Sequence, residues 1–413
     1  MLDLLNKTFR KRVVVAVFLA SLFGVSVVSP ASADGITWTS RTPAVDNAWS
    51  SVAYGNGIWV AVSYDGTGNR VMTSPDGITW TGRTSAADNG WLSVAYGNGL
   101  FVVVSNTGTG NRVMTSPDGI TWTSRTSAVN NRWSSVAYGN GIWVAVSLDG
   151  TGDRVMTSPN GITWTSRTSA TDNDWGSVAY GNGLFVAVST TGTGNRVMTS
   201  SDGITWTSRT SAADRNWSSV AYGNGLFVAV GYNGGVAYVM TSPDGITWTS
   251  RTAAANIAWS SVAYGNGLWV AVSYNGTGNR VMTSPDGITW TIRTSAADNQ
   301  WLSVAYGNGL WAAVSNDGTG NRVMTSGLIG LAERTTAAAN AEAARVAAAA
   351  EAARKAKEQK ELTEILALIP SLGSIALNLG ETTKVLTLQQ CVKKTQVKYV
   401  KKGAKCPKGF VRK

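Results

Sequence analysis

The chain has 413 residues, no histidine, two cysteines, 18 tryptophans, 46 glycines and a formal charge of +11. An apolar content of 43% supports a full core and only 14% of residues are charged, so neither wholesale disorder nor a membrane bundle fits. Without histidine the chain lacks the commonest general base and metal ligand, which removes serine–histidine hydrolases and most zinc enzymes.

From the N-terminus, Lys7, Arg10, Lys11 and Arg12 precede an apolar run from Val13 to Val28, and Ala31-Ser32-Ala33 follows with the small-x-small pattern of a cleavage site. The run is short for a membrane span of about 20 residues. Residues 1–33 therefore read as a signal peptide, cut before Asp34, and the mature protein as exported to the medium or the cell surface. Residues 34–327 hold 15 arginines and 16 aspartates with no lysine and no glutamate. The last 23 residues, by contrast, carry eight lysines and Arg412 and no acid. The body is near-neutral, so the overall charge gives it no nucleic-acid partner.

That body is a repeat. Trp38, Trp80, Trp122, Trp164, Trp206, Trp248 and Trp290 lie 42 residues apart, as do Trp49, Trp91, Trp133, Trp175, Trp217, Trp259 and Trp301. Each copy reads as four short strands: a (Trp49–Tyr54), b (Ile58–Ser63), c (Arg70–Ser74) and d (from Ile78). Gly55-Asn56-Gly57 and Pro75-Asp76-Gly77 supply the turns. Four strands in about 40–50 residues is the mark of a β-propeller blade. The array begins with a lone d strand (34–42) and ends at strand c (322–326), so the first strand can complete the seventh blade beside Val323-Met324-Thr325. The expected fold is all-β: a seven-bladed propeller over 34–327.

The c–d junction Ser74-Pro75-Asp76-Gly77-Ile78-Thr79-Trp80 resembles the Asp-box of the sialidase-like propellers, with one residue missing between Asp and Gly. It recurs around Asp118, Asn160, Asp202, Asp244 and Asp286. The resemblance implies the propeller fold and, in that family, a glycosidase that uses a tyrosine–glutamate nucleophile, an aspartate acid/base and three arginines. Here glutamate is absent from 34–327, and the arginines recur once per copy (Arg41 and Arg70 series). The aspartates read as turn staples, bonding nearby N–H groups. One carboxylate per turn is too few for calcium. No enzyme, cofactor or metal is expected, with a sialidase-like hydrolase as the alternative.

Drift between copies points to a binding face. The position of residue 48 reads Ala48, Gly90, Arg132, Asp174, Asn216, Ala258 and Gln300; that of residue 64 reads Tyr64, Asn106, Leu148, Thr190, Tyr232, Tyr274 and Asn316. Both lie in loops (d–a and b–c) that strand alternation places on one face, and the fifth copy carries Gly234-Gly235-Val236-Ala237-Tyr238 there. Varied loops on a rigid scaffold are a usual place for binding. The candidate ligand residues are Arg132, Asp174, Arg215, Tyr64, Tyr232 and Tyr274, with the Trp49, Trp91, Trp133, Trp175, Trp217, Trp259 and Trp301 ring as a stacking surface if exposed. The expected ligand is a glycan or an extracellular protein, held by a monomer; a purely structural or adhesive role is the other reading.

Residues 328–370 are alanine-rich with i,i+4 pairs such as Glu351–Lys355, reading as a solvated helical or coiled-coil stalk that ends at Pro370. A linker (371–390) leads to a basic tip (391–413) that reads as a small hairpin closed by a Cys391–Cys406 disulfide, suited to anionic surface polymers or lipid headgroups. N-terminal sequencing of exported protein should return Asp34 as the first residue; a start at Met1 would overturn the export reading.

Overall fold

In the computed structural model, the structure describes residues 35–327 and the strand segments 388–393, 396–401 and 411–412. The expected signal peptide, the stalk and the Cys406 half of the expected disulfide lie outside the described residues. Strands β1–β28 form seven four-stranded antiparallel sheets. Blade 1 is β2 (Trp49–Gly55), β3 (Ile58–Ser63), β4 (Val71–Ser74) and β5 (Thr81–Arg83), in that spatial order, and the next five blades repeat it. In blade 7, β1 (Thr39–Arg41) pairs antiparallel with β28 (Val323–Gly327), matching Thr39 to Thr325 and Arg41 to Val323. That register is the one joining Thr81 to Thr73 and Arg83 to Val71 within blade 1. The closure expected from the sequence is therefore present.

Strand d starts later than Ile78. The Asp76 Oδ1 accepts hydrogen bonds from the N–H groups of Ile78 (2.8 Å) and Thr79 (2.9 Å), which holds those residues in the turn and delays sheet pairing to Thr81. At the a–b hairpins, Gly55 pairs with Ile58, leaving the two-residue loop Asn56-Gly57 with φ of 48° and 78°. Both positive values define the turn whose twist suits a hairpin, and asparagine followed by glycine meets them at least strain.

Each blade packs between two others, so strand b is buried on both faces. Trp133, Val136, Trp143, Ala145 and Met156 of blade 3 close on Val102, Val104 and Val113 of blade 2, and the same contact recurs around the ring. Strand a forms the end of every sheet and presents an unpaired edge. The serine that precedes the equivalent valine one blade earlier satisfies it: Val94 N–H donates to Ser51 Oγ (3.1 Å), Val136 to Ser93, Val178 to Ser135, Val220 to Ser177, Val262 to Ser219 and Val304 to Ser261. Val52 to Ser303 (3.2 Å) completes the circle.

A second circle is steric. Tyr180 of one blade lies over Gly139 of the blade before it, and Tyr54 over Gly307, so that any Cβ on these glycines would enter the ring. Each such tyrosine also tilts against the strand-b aromatic of its own blade, as Tyr180 does on Phe185 at 4.7 Å between centroids.

In the second unit of the chain, residues 342–413, strands β29 (Leu388–Lys393), β30 (Gln396–Lys401) and β31 (Val411–Arg412) form an antiparallel sheet in the order β30-β29-β31. The expected hairpin is there as backbone, and it begins at Leu388, inside the segment read as linker.

Gly139 has ordinary negative φ, so Gly139→Ala tests the steric circle alone. Overpacking of this kind should lower unfolding free energy by about 1–3 kcal/mol in urea denaturation. Wild-type stability would mean that the Tyr180 ring moves away at no cost.

Candidate functional site

The d–a and b–c loops share one face. Tyr64 N–H donates to the Ala48 carbonyl, and the corresponding bond joins the 64 and 48 positions in every blade, at 2.9–3.3 Å. On the opposite face the a–b and c–d turns meet, Asn56 Nδ2 reaching the Pro117 carbonyl (3.3 Å).

The tryptophans of the Trp49 series are not a stacking surface. All seven have no exposed area, and each Nε1 donates to the carbonyl four residues earlier, Val45 for Trp49 (3.0 Å) and Thr171 for Trp175 (3.1 Å). A bulge between Trp49 and Ser51, repeated in each blade, interrupts the a–b register just where strand a meets the loop. The series Trp49, Trp91, Trp133, Trp175, Trp217, Trp259 and Trp301 thus pins the d–a loops from beneath and offers a ligand nothing.

The Arg70 series also turns inward. Arg70 Nε donates to the Gly66 carbonyl and Nη1 to the Tyr64 carbonyl (both 2.8 Å), and five of the other six blades repeat this. Asp88, in the loop to the next blade, stands 3.6 Å from Arg70 Nε and takes the Gly68 N–H at 2.8 Å. Beside it the buried Asn47 donates to Asn69 O and Oδ1. This arginine–aspartate–asparagine clamp fastens the b–c loop to the d–a loops around it.

Outward from the clamps, the predicted residues separate. Tyr64 and Tyr274 are 47% and 42% exposed. Tyr64 lies across Gly90 of the following blade, where a Cβ would come within 2.8 Å of its ring. Arg132 is exposed, its N–H donating to Asp149 Oδ1. Asp174 is paired with Arg154 Nη1 at 2.8 Å. Tyr232 is half-buried, packed on the core cluster that includes Val230, Ala237 and Trp259.

Blade 5 departs from the pattern as a set. The clamp asparagine becomes Arg215, its partner asparagine Ala237, the clamp arginine Tyr238 and the following aspartate and asparagine Asn256 and Ile257. In place of the b–c loop, β19 (Leu226–Asn233) and β20 (Val236–Ser242) run on as a hairpin, paired through Asn233 and Val236 and turned by Gly234 and Gly235 at φ of 60° and 86°. Gly231 stands where the other blades have serine, because a Cβ there would strike the Asn216 carbonyl. The Arg215 guanidinium lies 4.4 Å over the Tyr238 ring, a cation–π contact. The changes compensate one another except at Arg215 Nε and at Asn279 Oδ1, which has lost the asparagine partner that Ile257 replaces; both atoms are buried without a hydrogen bond among the described residues. Arg215 was visible in the sequence as an odd residue; the linked set Tyr238, Asn256 and Ile257 was equally visible by comparing copies and was not assembled from them.

At the c–d turns the aspartates act as staples. Asp244 Oδ1 accepts from Ile246 N, Thr247 N and Ser242 Oγ (2.8–2.9 Å), and Asn160 Oδ1 takes the equivalent three bonds in blade 3. The Thr N–H is the chief cause holding the carboxyls of Asp118, Asp202, Asp244 and Asp286 below their ordinary value.

These sheets and turns define a seven-bladed β-propeller. Among solved structures the chain is similar to YCF48 from Cyanidioschyzon merolae (15% identity, 70% of this chain and 98% of that one, TM-score 0.52). It is also similar to YCF48 bound to D1 peptide (14%, 72% and 99%, 0.55) and to streptogramin B lyase (8%, 70% and 97%, 0.60). At such identity the likeness is one of fold. No protein family and no curated protein matches the chain.

Because the folded carboxyls sit below the unfolded value of about 4, their contribution is complete above pH ~4 and is lost as pH falls through the lowered folded value. Replacing Asp118, Asp202, Asp244 and Asp286 by asparagine, as blade 3 already does, should flatten the loss of stability below pH 4. Acid titrations followed by tryptophan fluorescence check this; identical acid profiles would refute it.

Proposed function

We propose that this chain is a non-catalytic binding propeller that holds a segment of another protein across the d–a and b–c loop face. The observation that carries the reading is the concerted change in blade 5. Several substitutions fall together on this one loop and its neighbours, and together they build a projecting hairpin and an arginine set over a tyrosine ring. The likeness to a propeller solved with a peptide bound supports the same class of partner.

Catalysis is disfavoured by the state of the acids. The turn aspartates are held by backbone N–H groups, Asp88 and its equivalents by glycine N–H groups, and Asp174 by Arg154. A glycan reading draws on Tyr64 and Tyr274, whose exposed rings suit stacking on sugars. Export by the N-terminal signal, kinship with the sialidase-like propellers and surface association through the basic tip belong to this proposal, and would place the partner outside the cytoplasm.

The full-length protein should be screened against a displayed library of random 12-residue peptides and against a glycan array. A variant with the blade 5 loop regularised (residues 231–238 replaced by 273–280, with Arg215→Asn, Asn256→Asp and Ile257→Asn) restores the clamp. Peptide binding by the wild type, lost at least tenfold in the regularised but folded variant, is the expected outcome. Binding confined to glycans, or undiminished in the variant, would refute the protein-segment reading.

A further inference from the structure

We infer that Arg215 is a carboxylate-recognising residue, and that the segment held by the blade 5 sector presents an acidic side chain or a free C-terminus next to an apolar one. The inference rests on the binding reading above and names the chemistry of its partner.

Arg215 differs from the six clamp arginines in having nothing to hold. Those six donate to loop carbonyls, and five face an aspartate at 3.6–3.9 Å or, for Arg154, Asp174 as well. Arg215 donates through its backbone N–H to Ala213, while its Nε is buried without a hydrogen-bond partner among the described residues. A buried unpaired donor on a cation costs free energy that a ligand acceptor would recover.

The neighbouring acids are taken. Asp214 Oδ1 accepts the Gly194 N–H (2.6 Å) and stands 3.9 Å from Arg196. The position that supplies aspartate to the clamp in five other loops is Asn256, whose Oδ1 faces the Ala237 N–H at 3.4 Å. Thus the sector keeps one cation, moved from the clamp position now held by Tyr238 to Arg215, and gives up an anion. The Tyr238 ring covers one side of the guanidinium at 4.4 Å without taking any of its N–H groups, which leaves donors for a planar acceptor of the kind carboxylates present.

The surroundings supply the rest. Val236 at the hairpin tip is 40% exposed and Tyr232 is half-buried, offering apolar contact beside the charge. β21 (Thr249–Arg251) pairs with β20 only as far as Val239, and beyond it Asn256 Oδ1 takes the outward Ala237 N–H, so the hairpin tip projects past the sheet. A peptide that carries an apolar side chain beside a carboxylate fits this combination of apolar hairpin tip and single cation.

The test uses the full-length protein and the same random 12-residue library. Selected peptides should be enriched in Asp, Glu or a free C-terminal carboxylate flanked by an apolar residue. For the best synthetic peptide, Arg215→Gln should weaken binding at least tenfold, and changing the peptide carboxylate to its amide should do the same. Combining both changes should cost no more than either alone, with thermal unfolding confirming that the variant folds. Arg83→Gln, an equal change of charge on an outer strand, should leave affinity within twofold. Peptides that bind without carboxylate enrichment, or equal loss from Arg83→Gln and Arg215→Gln, would overturn the inference while leaving the binding reading intact. Arg215-dependent binding of oligogalacturonate with no peptide binding would overturn the peptide partner. A wild type that selects no peptide would defeat both readings.

Discussion

The ring of serine-to-valine hydrogen bonds is the constraint from which the rest of this molecule follows. Strand a ends each sheet with an unpaired edge, and the edge N–H of one blade is satisfied only by the serine hydroxyl of the blade before it. Seven such bonds must close on themselves, so each blade has to turn through the same angle as its neighbours. That requirement explains why Ser51, Val52, Tyr54 and Gly55 recur unchanged in kind around the ring. A blade that sat a fraction of an ångström differently would break two bonds and lift two tyrosines from the glycines beneath them.

The same constraint sorts variable from fixed positions on the loop face. Residues of the clamp (Arg70, Asp88, Asn47) hold loop to loop; Asn130 replaces the aspartate on its own, whereas loss of the clamp arginine in blade 5 comes together with Arg215, Tyr238 and Ile257. Positions 48 and 64 are joined to each other through backbone atoms, so their side chains differ widely, and Asp174 and Asn216 add a bond to the clamp arginine of the preceding blade. Diversity is therefore cheap at two places per blade and requires a coordinated rebuilding where the clamp arginine is lost.

The repeat made the architecture legible because a spacing of 42 residues and a displaced starting strand admit few arrangements. Strand assignments for b and the closure of β1 on β28 agree with that reading. Strand d was placed too early because alternation at Ile78–Trp80 looks extended, while the Asp76 carboxylate captures those N–H groups for the turn. The burial of Trp49 and the inward turn of Arg70 were beyond periodicity, which gives the face of a strand but not what the next blade lays over it. For Arg215 the residue was in view and its chemistry was not, since stacking and an orphaned Nε emerge only when Tyr238 is beside it.

The pairing of β1 with β28 carries a consequence for the order of events in making the protein. Arg41 donates to Thr325 and Gly35 to Ser326 across separations of 284 and 291 residues, among the longest-range contacts the chain could make. Blade 7 cannot be finished while the polypeptide is still emerging, whether from the ribosome or through a membrane pore, until residue 326 is free. Up to that moment six complete blades form an open arc whose two ends are exposed sheets, competent to join neighbouring chains. The last few residues of the array act as a latch, and the time they take to arrive sets how long the nascent protein must be kept from its copies.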